Sequence, residues 1–552
     1  MSSLTIVDTK SAEKTVRRLF SERGITPDSV MVRTFPDETI VLMHVSEELY
    51  DKAIRASNEI DDELPPSVLA VIRKSEMSRS QTVESVSGVS DGRVSRLIEL
   101  LNERSRTSEL QPSLQFIKDA AENTKIAITK RHHVVFGRRG VGKTALLLEA
   151  KRIVEHSKNL TLWQNLQTLR GLEAVPVFLT LVKRICDLAE IAHGTRSTKP
   201  RSIQLARDIS ARVDRLFNRS STSLEQASLL VPEIQRMLKL ICAETGSDIF
   251  LFLDDFHYVD MANQPKVLDL LHGCTRDTAT WIKIASIRNQ SRLYQNDPPT
   301  GMQVGHDAAV ISLDITLEEP QKAKEFLGGI LQTYLKPAGI SNRSGILSNG
   351  ALDRLVLASA GVPRDFLLLA ARSIQLARER ANARVVGTQD VNDAAGEAGV
   401  QKSAELDEDA ASSKGKSSAR IRAMNRLRQF AIDEKHYSFF KVGFQDKNDH
   451  PDEYTLLQSL MDLRMIHIIK ASLSQAHAAG EKTEVYMIDL SEYSGSRLKK
   501  NITVIDLQGA HLVLRRTGSN ATKTVADTPR KVVQVLRTGP EFELTGLTPF
   551  VS

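Results

Sequence analysis

Gly137-Arg138-Arg139-Gly140-Val141-Gly142-Lys143-Thr144 follows the apolar run HHVVF and opens the amphipathic stretch TALLLEAKRIVEHS. The eight residues fit G-x-x-x-x-G-K-[ST]. Glycine lets successive backbone N–H groups turn inward as a nest for an anion. A helix beginning at Lys143 adds the positive end of its dipole. The stretch is therefore read as a phosphate loop. Gly137, Arg138, Arg139, Gly140, Val141 and Gly142 would wrap the phosphates, Lys143 would reach the β and γ phosphates, and the Thr144 hydroxyl would hold Mg2+.

A second cluster lies farther along. In IFLFLDD, five apolar residues precede Asp254 and Asp255. Such a run predicts a buried strand with both carboxylates at its C-terminal tip, the edge where parallel sheets bind ligands. Asp254 is expected to hold Mg2+ through water, and Asp255 to polarise an attacking water. A protein that only bound nucleotide would need the first acid alone, so the pair leans towards hydrolysis. Aspartate is a short side chain for that task, which allows slow turnover. Another strand, WIKIAS, ends in Ser286, Ile287, Arg288 and Asn289. Ser286, Arg288 and Asn289 are all candidates to touch a γ-phosphate or the water, and the sequence does not choose between them. Arg364 opens the helix FLLLAARSIQLA after Gly361, Val362 and Pro363. A cation is poorly placed at a helix start, so a guanidinium there is expected to clamp phosphate.

These residues need a scaffold. Strand-like and helix-like stretches alternate from 131 to about 300, which predicts a parallel sheet. Apolar residues at helical intervals follow in EEPQKAKEFLGGILQTYL, GALDRLVLASAG and PRDFLLLAARSIQLARERA. The expected organisation is a small α/β module over 1–66, a helix-turn-helix-like region over 67–111, a P-loop core over 112–314, a helical lid over 315–402, a linker over 403–419 and a basic domain over 420–552.

FGRRGVGKT, IFLFLDD, the polar tip after KIAS and AGVPRD occur in that order. Over about residues 112–400 the chain resembles the AAA+ superfamily of P-loop ATPases, near its origin-recognition and STAND-like branches. The resemblance implies an α/β P-loop NTPase fold with a parallel sheet core and a helical lid. It implies Walker A at Lys143 and Thr144, Walker B at Asp254 and Asp255, a first sensor within Ser286 to Asn289, and a second at Arg364. It also implies side-by-side assembly with an arginine finger. Arg292 is a candidate for that role, but the segment before AAVISLDI lacks an arginine.

Two flanking regions are candidate DNA readers. In SQTVESVSGVSDGRVSRLI, Val83, Gly88, Val89, Val94 and Leu97 fall where a helix-turn-helix needs them. Ser90, Asp91 and Arg93 would start the reading helix, with Ser95 and Arg96 on phosphates. Glu84 and Ser87 depart from that pattern, and a helical brace on the ATPase is the other reading. The C-terminal region has helix-like DEYTLLQSLMDLRMIHII, a polar turn and strand-like EVYMIDLSEY, a winged-helix order. Residues 497–552 hold nine Lys/Arg against four acids, charges that would bind backbone and confer salt sensitivity.

Bulk composition excludes several classes. The 552 residues are 41% hydrophobic with net charge +6 and a pI near 9.0, which permits an acidic partner without demanding one. Cys186, Cys242 and Cys274 form no disulfide or metal pattern. No apolar run is long enough to cross a bilayer, and the first residues lack an apolar signal core. A cytoplasmic protein with no membrane partner is expected. The leading function is an ATP-binding and hydrolysing AAA+ protein whose nucleotide-dependent homo-oligomer acts on duplex DNA, in replication initiation, mobile-element targeting or anti-phage defence. The alternative is a STAND-like switch that retains ATP and recruits a protein partner.

Overall fold

The computed structural model describes residues 9–34, 39–65, 67–74, 86–103, 122–193, 200–218, 222–412, 416–474, 481–494, 500–518 and 523–551. The chain divides into two units, Met1–Ser85 and Val86–Ser552.

In the first unit, strands β1 (Ser29–Thr34) and β2 (Thr39–Val45) pair antiparallel, and β2 pairs parallel with β3 (Val68–Lys74). Helices Thr9–Glu22 and Glu47–Ile60 place Val16, Leu19, Phe20, Ala53, Ala56 and Ile60 in a core with Val41, Met43 and Val45. The expected break at 66 is corrected here. VLAVIRK, assigned to a helical region, is the third strand of this sheet. A short apolar run has no period that separates helix from strand, and pairing along β2 decides it.

The second unit is built on a five-stranded parallel sheet: β4 (His132–Phe136), β5 (Leu160–Asn165), β6 (Ile249–Asp254), β7 (Thr280–Ser286) and β10 (Ala308–Ser312). A hairpin, β8 (Tyr294–Asn296) and β9 (Pro299–Gly301), precedes the last. The order across the sheet is β10-β4-β7-β6-β5. All six β6 residues are buried, as a strand covered by helices on both faces requires. Leu251 and Leu253 face one cluster with Val177, Phe178 and Met237, while Phe250 and Phe252 face another with Leu146, Leu147 and Trp163. That is the period of two of a pleated strand.

Helices Pro320–Leu335, Asn349–Ser359, Pro363–Glu379 and Thr388–Ser412 form the lid. The last runs through most of the stretch read as a linker, and a helix at Lys416–Arg428 follows. The linker expectation is thus corrected: small and charged residues resemble coil in composition, yet Ala, Glu and Lys are strong helix formers. Lid and C-terminal region share one core, in which Leu355, Val356 and Phe366 join Phe439, Phe440, Tyr486 and Leu490.

The helix-turn-helix expectation is also corrected. Helix Gly92–Glu103 buries Val94, Leu97, Ile98, Leu100 and Leu101 in the lid core. Arg378 donates to Val89 O (2.6 Å), Asp91 O (3.1 Å) and Ser95 Oγ (3.1 Å). Asp91 accepts from Arg93 at its amide and its Nε, and Arg93 also donates to Gly339 O. Gly88 has φ +142, and a Cβ there would lie 2.8 Å from Arg384 O. The glycine thus serves close approach to the lid. The groups expected in a major groove brace the lid instead; Val83 and Glu84 lie outside the described residues.

The C-terminal part pairs β11 (Phe439–Gly443), β13 (Lys482–Ile488) and β12 (Ile466–Ser474) antiparallel in the order β11-β13-β12. Helices Phe444–Asp449 and Pro451–Asp462 lie between β11 and β12. A further sheet, β14 (Thr503–Gln508), β15 (His511–Arg516) and β16 (Lys523–Ala526), precedes helix Pro529–Thr538. Among the described residues, no helix is long and apolar enough to cross a membrane.

Candidate functional site

The loop from Gly137 to Gly142 joins the end of β4 to helix Lys143–His156. Lys143 is 6% exposed, and its Nζ donates to Gly137 O (2.9 Å) and Arg138 O (3.0 Å). Burial pushes the ammonium's pKa down. Among the described residues, the amides of Arg139, Gly140 and Gly142 donate to no acceptor. Free amides around a buried ammonium suit an anion with several oxygens.

Arg138 departs from the expected role. Its amide and its Nε both donate to Asp314 Oδ1, and its Nη2 donates to Ile315 O (3.0 Å) and Ala360 O (3.2 Å). The side chain points to the lid and the amide is taken, because a buried guanidinium must find acceptors. Arg139 is half-buried, and its Nε has no hydrogen-bond partner among the described residues.

The register of the parallel sheet sets the acid cluster. Asn165 lies beside Asp254 across β5 and β6, and Ser286 lies beside Phe136 across β7 and β4. Thr144 Oγ1 donates to Asp254 Oδ2 at 2.8 Å. Asp254 is 1% exposed, and its Oδ1 has no partner among the described residues. Burial, then the Asp255 charge, pushes its pKa up to about 7. Asp255 sits at φ +55, past the strand end, with Asn165 Nδ2 at 3.4 Å from its Oδ2. Burial raises its pKa, and Lys143 opposes the rise.

The three polar candidates at and after the end of β7 separate in the structure. Ser286 is fully buried and shares a hydrogen bond with Ser291 Oγ, which donates to Ile287 O. It fastens its own turn. Arg288 is exposed and stacks over the Phe136 ring, 4.6 Å from its centroid. Asn289 is half-buried, and its side chain makes no hydrogen bond among the described residues, which leaves it the freest of the three for a ligand.

The lid meets the loop at Arg364. Its amide lies 3.3 Å from Gly140 O, and a Cβ on Gly140 (φ +82) would lie 2.9 Å from Arg364 Cβ. Only glycine permits that approach.

Asn165, Asp314, Asp462 and Arg464 escaped the sequence reading. Asn165 has a signal, a polar residue at the tip of a neighbouring strand. Asp314 had none beyond following β10. Asp462, from the C-terminal part, is 3% exposed, and its Oδ2 has no partner among the described residues. Burial, then the Asp314 charge, pushes its pKa up to about 7, against Lys143, Arg139 and Arg138. Arg464 forms an ion pair with Asp365, next to Arg364. Burial and the charges of Lys143 and Arg139 push His257 down to about 3, so it is neutral near pH 7. His132 Nδ1 accepts the Ile282 amide, and His133 Nδ1 meets Lys283 Nζ. Both are core fasteners.

A phosphate loop after β4, an acid pair at the tip of β6, one strand away across β7, and a helical lid define the architecture. The core is an α/β fold of the P-loop type. No protein-family model and no curated protein matches the sequence. Among solved structures, the chain is similar to the Aeropyrum pernix ORC1 protein in complex with DNA, at 13% identity and a TM-score of 0.36, over 69% of this chain and 92% of that one. AMPPCP-bound DnaA from Aquifex aeolicus is similar at 14% identity and a TM-score of 0.27, over 62% and 87%. Drosophila ORC bound to DNA is similar at 12% identity and a TM-score of 0.28, over 71% and 90%. The P-loop assignment rests on the loop, the strand order and the parallel sheet of this chain.

Proposed function

We propose that this chain binds ATP with Mg2+ at the phosphate loop, hydrolyses it slowly, and uses nucleotide-dependent homo-oligomeric assembly to act on duplex DNA. The observation that carries the reading is the convergence of Lys143, Thr144, Asp254 and Asp255 at one sheet edge, beside amides with no acceptor among the described residues. The donor set fits Mg2+: a hydroxyl on a buried carboxylate that has a spare oxygen. Thr144 and Asp254 would hold the ion, which would offset charge on the phosphate oxygens.

The chain's own residues supply the rest. Lys143 exchanges two loop carbonyls for phosphate oxygens. Asp255, its pKa raised by burial, is suited to take a proton from the attacking water. Asn289 is the best-placed of the three candidates at and after the end of β7 to orient that water or the γ-phosphate, and Arg364 enters from the lid.

For DNA, Arg516, Lys523, Arg530, Lys531 and Arg537 are exposed on the last sheet and helix, and Lys500 is exposed just before that sheet. The order of β11, two helices, β12 and β13 is compatible with a winged helix. Helix Pro451–Asp462 carries no lysine or arginine and three acids, Asp452, Glu453 and Asp462, so backbone contact falls to the basic residues. The test is ATPase rate with and without duplex DNA across a salt series. Stimulation that fades with salt supports the reading.

The docking of Arg464 on Asp365 favours the second reading, a switch that retains nucleotide. Turnover near zero, indifferent to DNA, with ATP held, would select it.

A further inference from the structure

The C-terminal part touches both the core and the lid beside the phosphate loop. Helix Pro451–Asp462 packs against the turn Arg288–Gln290, and its last residue stands in the electrostatic field of the phosphate loop. Two residues on, Arg464 pairs with Asp365 at the start of the lid helix. Farther along β12, the Ala471 amide donates to Glu318 Oε1 of the core-to-lid segment at 2.7 Å. The end of this helix is therefore flanked by the turn after β7 and by the lid, the elements that carry Asn289 and Arg364, and lies within electrostatic reach of Lys143, Arg139 and Arg138.

A buried carboxylate oxygen without a hydrogen-bond partner is costly. Asp462 Oδ2 is one, among the described residues, and Arg139 Nε is an unpartnered donor in the same field. Without nucleotide, the cations of the loop offset the carboxylate. A γ-phosphate would take up those cations and add negative charge of its own. A diphosphate lacks that third group.

We propose that Asp462 is a specificity-determining residue of the nucleotide site, which in the docked state opposes a γ-phosphate and so favours nucleoside diphosphate over triphosphate. Triphosphate then binds fully only when the Asp462 end of the helix withdraws from the loop. The inference rests on the nucleotide reading and adds to it the coupling between bound state and C-terminal position.

The test is competition of ATP and ADP against a fluorescent nucleotide on the full chain, with Mg2+ present, for the parent, Asp462→Asn and Asp462→Glu. With the competition run at about pH 8, where a carboxyl that titrates near 7 is mostly ionised, the affinity ratio of ATP to ADP in Asp462→Asn is expected to rise up to about tenfold, the scale of one partly screened like charge. Asp462→Glu keeps the parent ratio. Should Asp462→Asn fail to fold by circular dichroism, Arg464→Gln replaces it, since it releases the clamp on Asp365 and moves the ratio the same way. A ratio within twofold of the parent in the folded variant overturns the inference alone. A parent chain that binds neither nucleotide overturns the nucleotide reading and this inference with it.

Discussion

Arg138 and Asp314 are joined twice: the backbone amide and the Nε of Arg138 both donate to Asp314 Oδ1, at 3.0 and 3.1 Å. One carboxylate oxygen thus ties the phosphate loop to the segment that leads from β10 into the lid. Arg138 is buried and Asp314 is partly exposed. Removing the carboxylate leaves a buried guanidinium with only carbonyl partners. Asp314→Ala is expected to lower stability by about 3 kcal/mol, and Asp314→Asn by less, measured by urea unfolding. A change under about 0.5 kcal/mol in the alanine variant would show that the pair is not a structural joint.

Binding and turnover separate by residue. Lys143→Ala removes the ammonium that two loop carbonyls now hold and is expected to abolish ATP binding in calorimetry. Asp255→Asn keeps size and shape but cannot accept a proton. It is expected to bind ATP near the parent affinity with turnover lowered at least about a hundredfold. Hydrolysis at the parent rate in Asp255→Asn would remove that residue from the chemistry.

The buried acid on β6 gives a pH signature. Asp254 has a folded pKa of about 7 against 3.8 when unfolded, so the folded state holds its proton more tightly. Such a group weakens the fold as pH rises from about 4 to 7. His132, His133 and His257 are pushed below their ordinary value and act in the opposite sense over part of that window, so the parent melt alone does not isolate it. Asp254→Asn removes the ionisation. The difference in melting temperature between Asp254→Asn and the nucleotide-free parent is expected to grow in favour of the variant from pH 4 to pH 7. A difference that is flat with pH means Asp254 is not protonated in the fold.

What could be read in the sequence follows from range. The loop and IFLFLDD are contiguous, and their backbone geometry is set by neighbouring residues, so Lys143, Thr144, Asp254 and Asp255 were legible as a group. The parallel core was legible because β6 is apolar throughout. Gly92–Glu103 shows the limit of pattern. Val94, Leu97 and Leu101 announce a buried face but not what covers it, and the lid, not a second reading helix, does so. Arg138 stood at a loop position and was read by position, whereas its acceptors lie on Asp314, Ile315 and Ala360. Asp462 had no signal: it ends an ordinary helix in a separate region, and only tertiary docking brings it to the loop.

The exposed cations of the last sheet make a separate prediction about DNA. Arg516 on β15 and Lys523 on β16 are cross-strand partners. Both are exposed, and neither forms an ion pair among the described residues. Like charges side by side on a sheet are mildly destabilising, so the fold gains nothing from the pair, whereas a polyanion would. Each phosphate contact releases a counterion and steepens the dependence of affinity on salt by roughly one unit. Replacing both by glutamate (Arg516→Glu with Lys523→Glu) is therefore expected to weaken duplex binding at least about tenfold at low salt and to flatten the log–log salt slope by about two. Fluorescence anisotropy with labelled duplex from 50 to 300 mM salt, roughly the range over which such contacts are screened, reads both quantities. An unchanged slope in a variant that is folded by circular dichroism would place the DNA contact elsewhere on the chain.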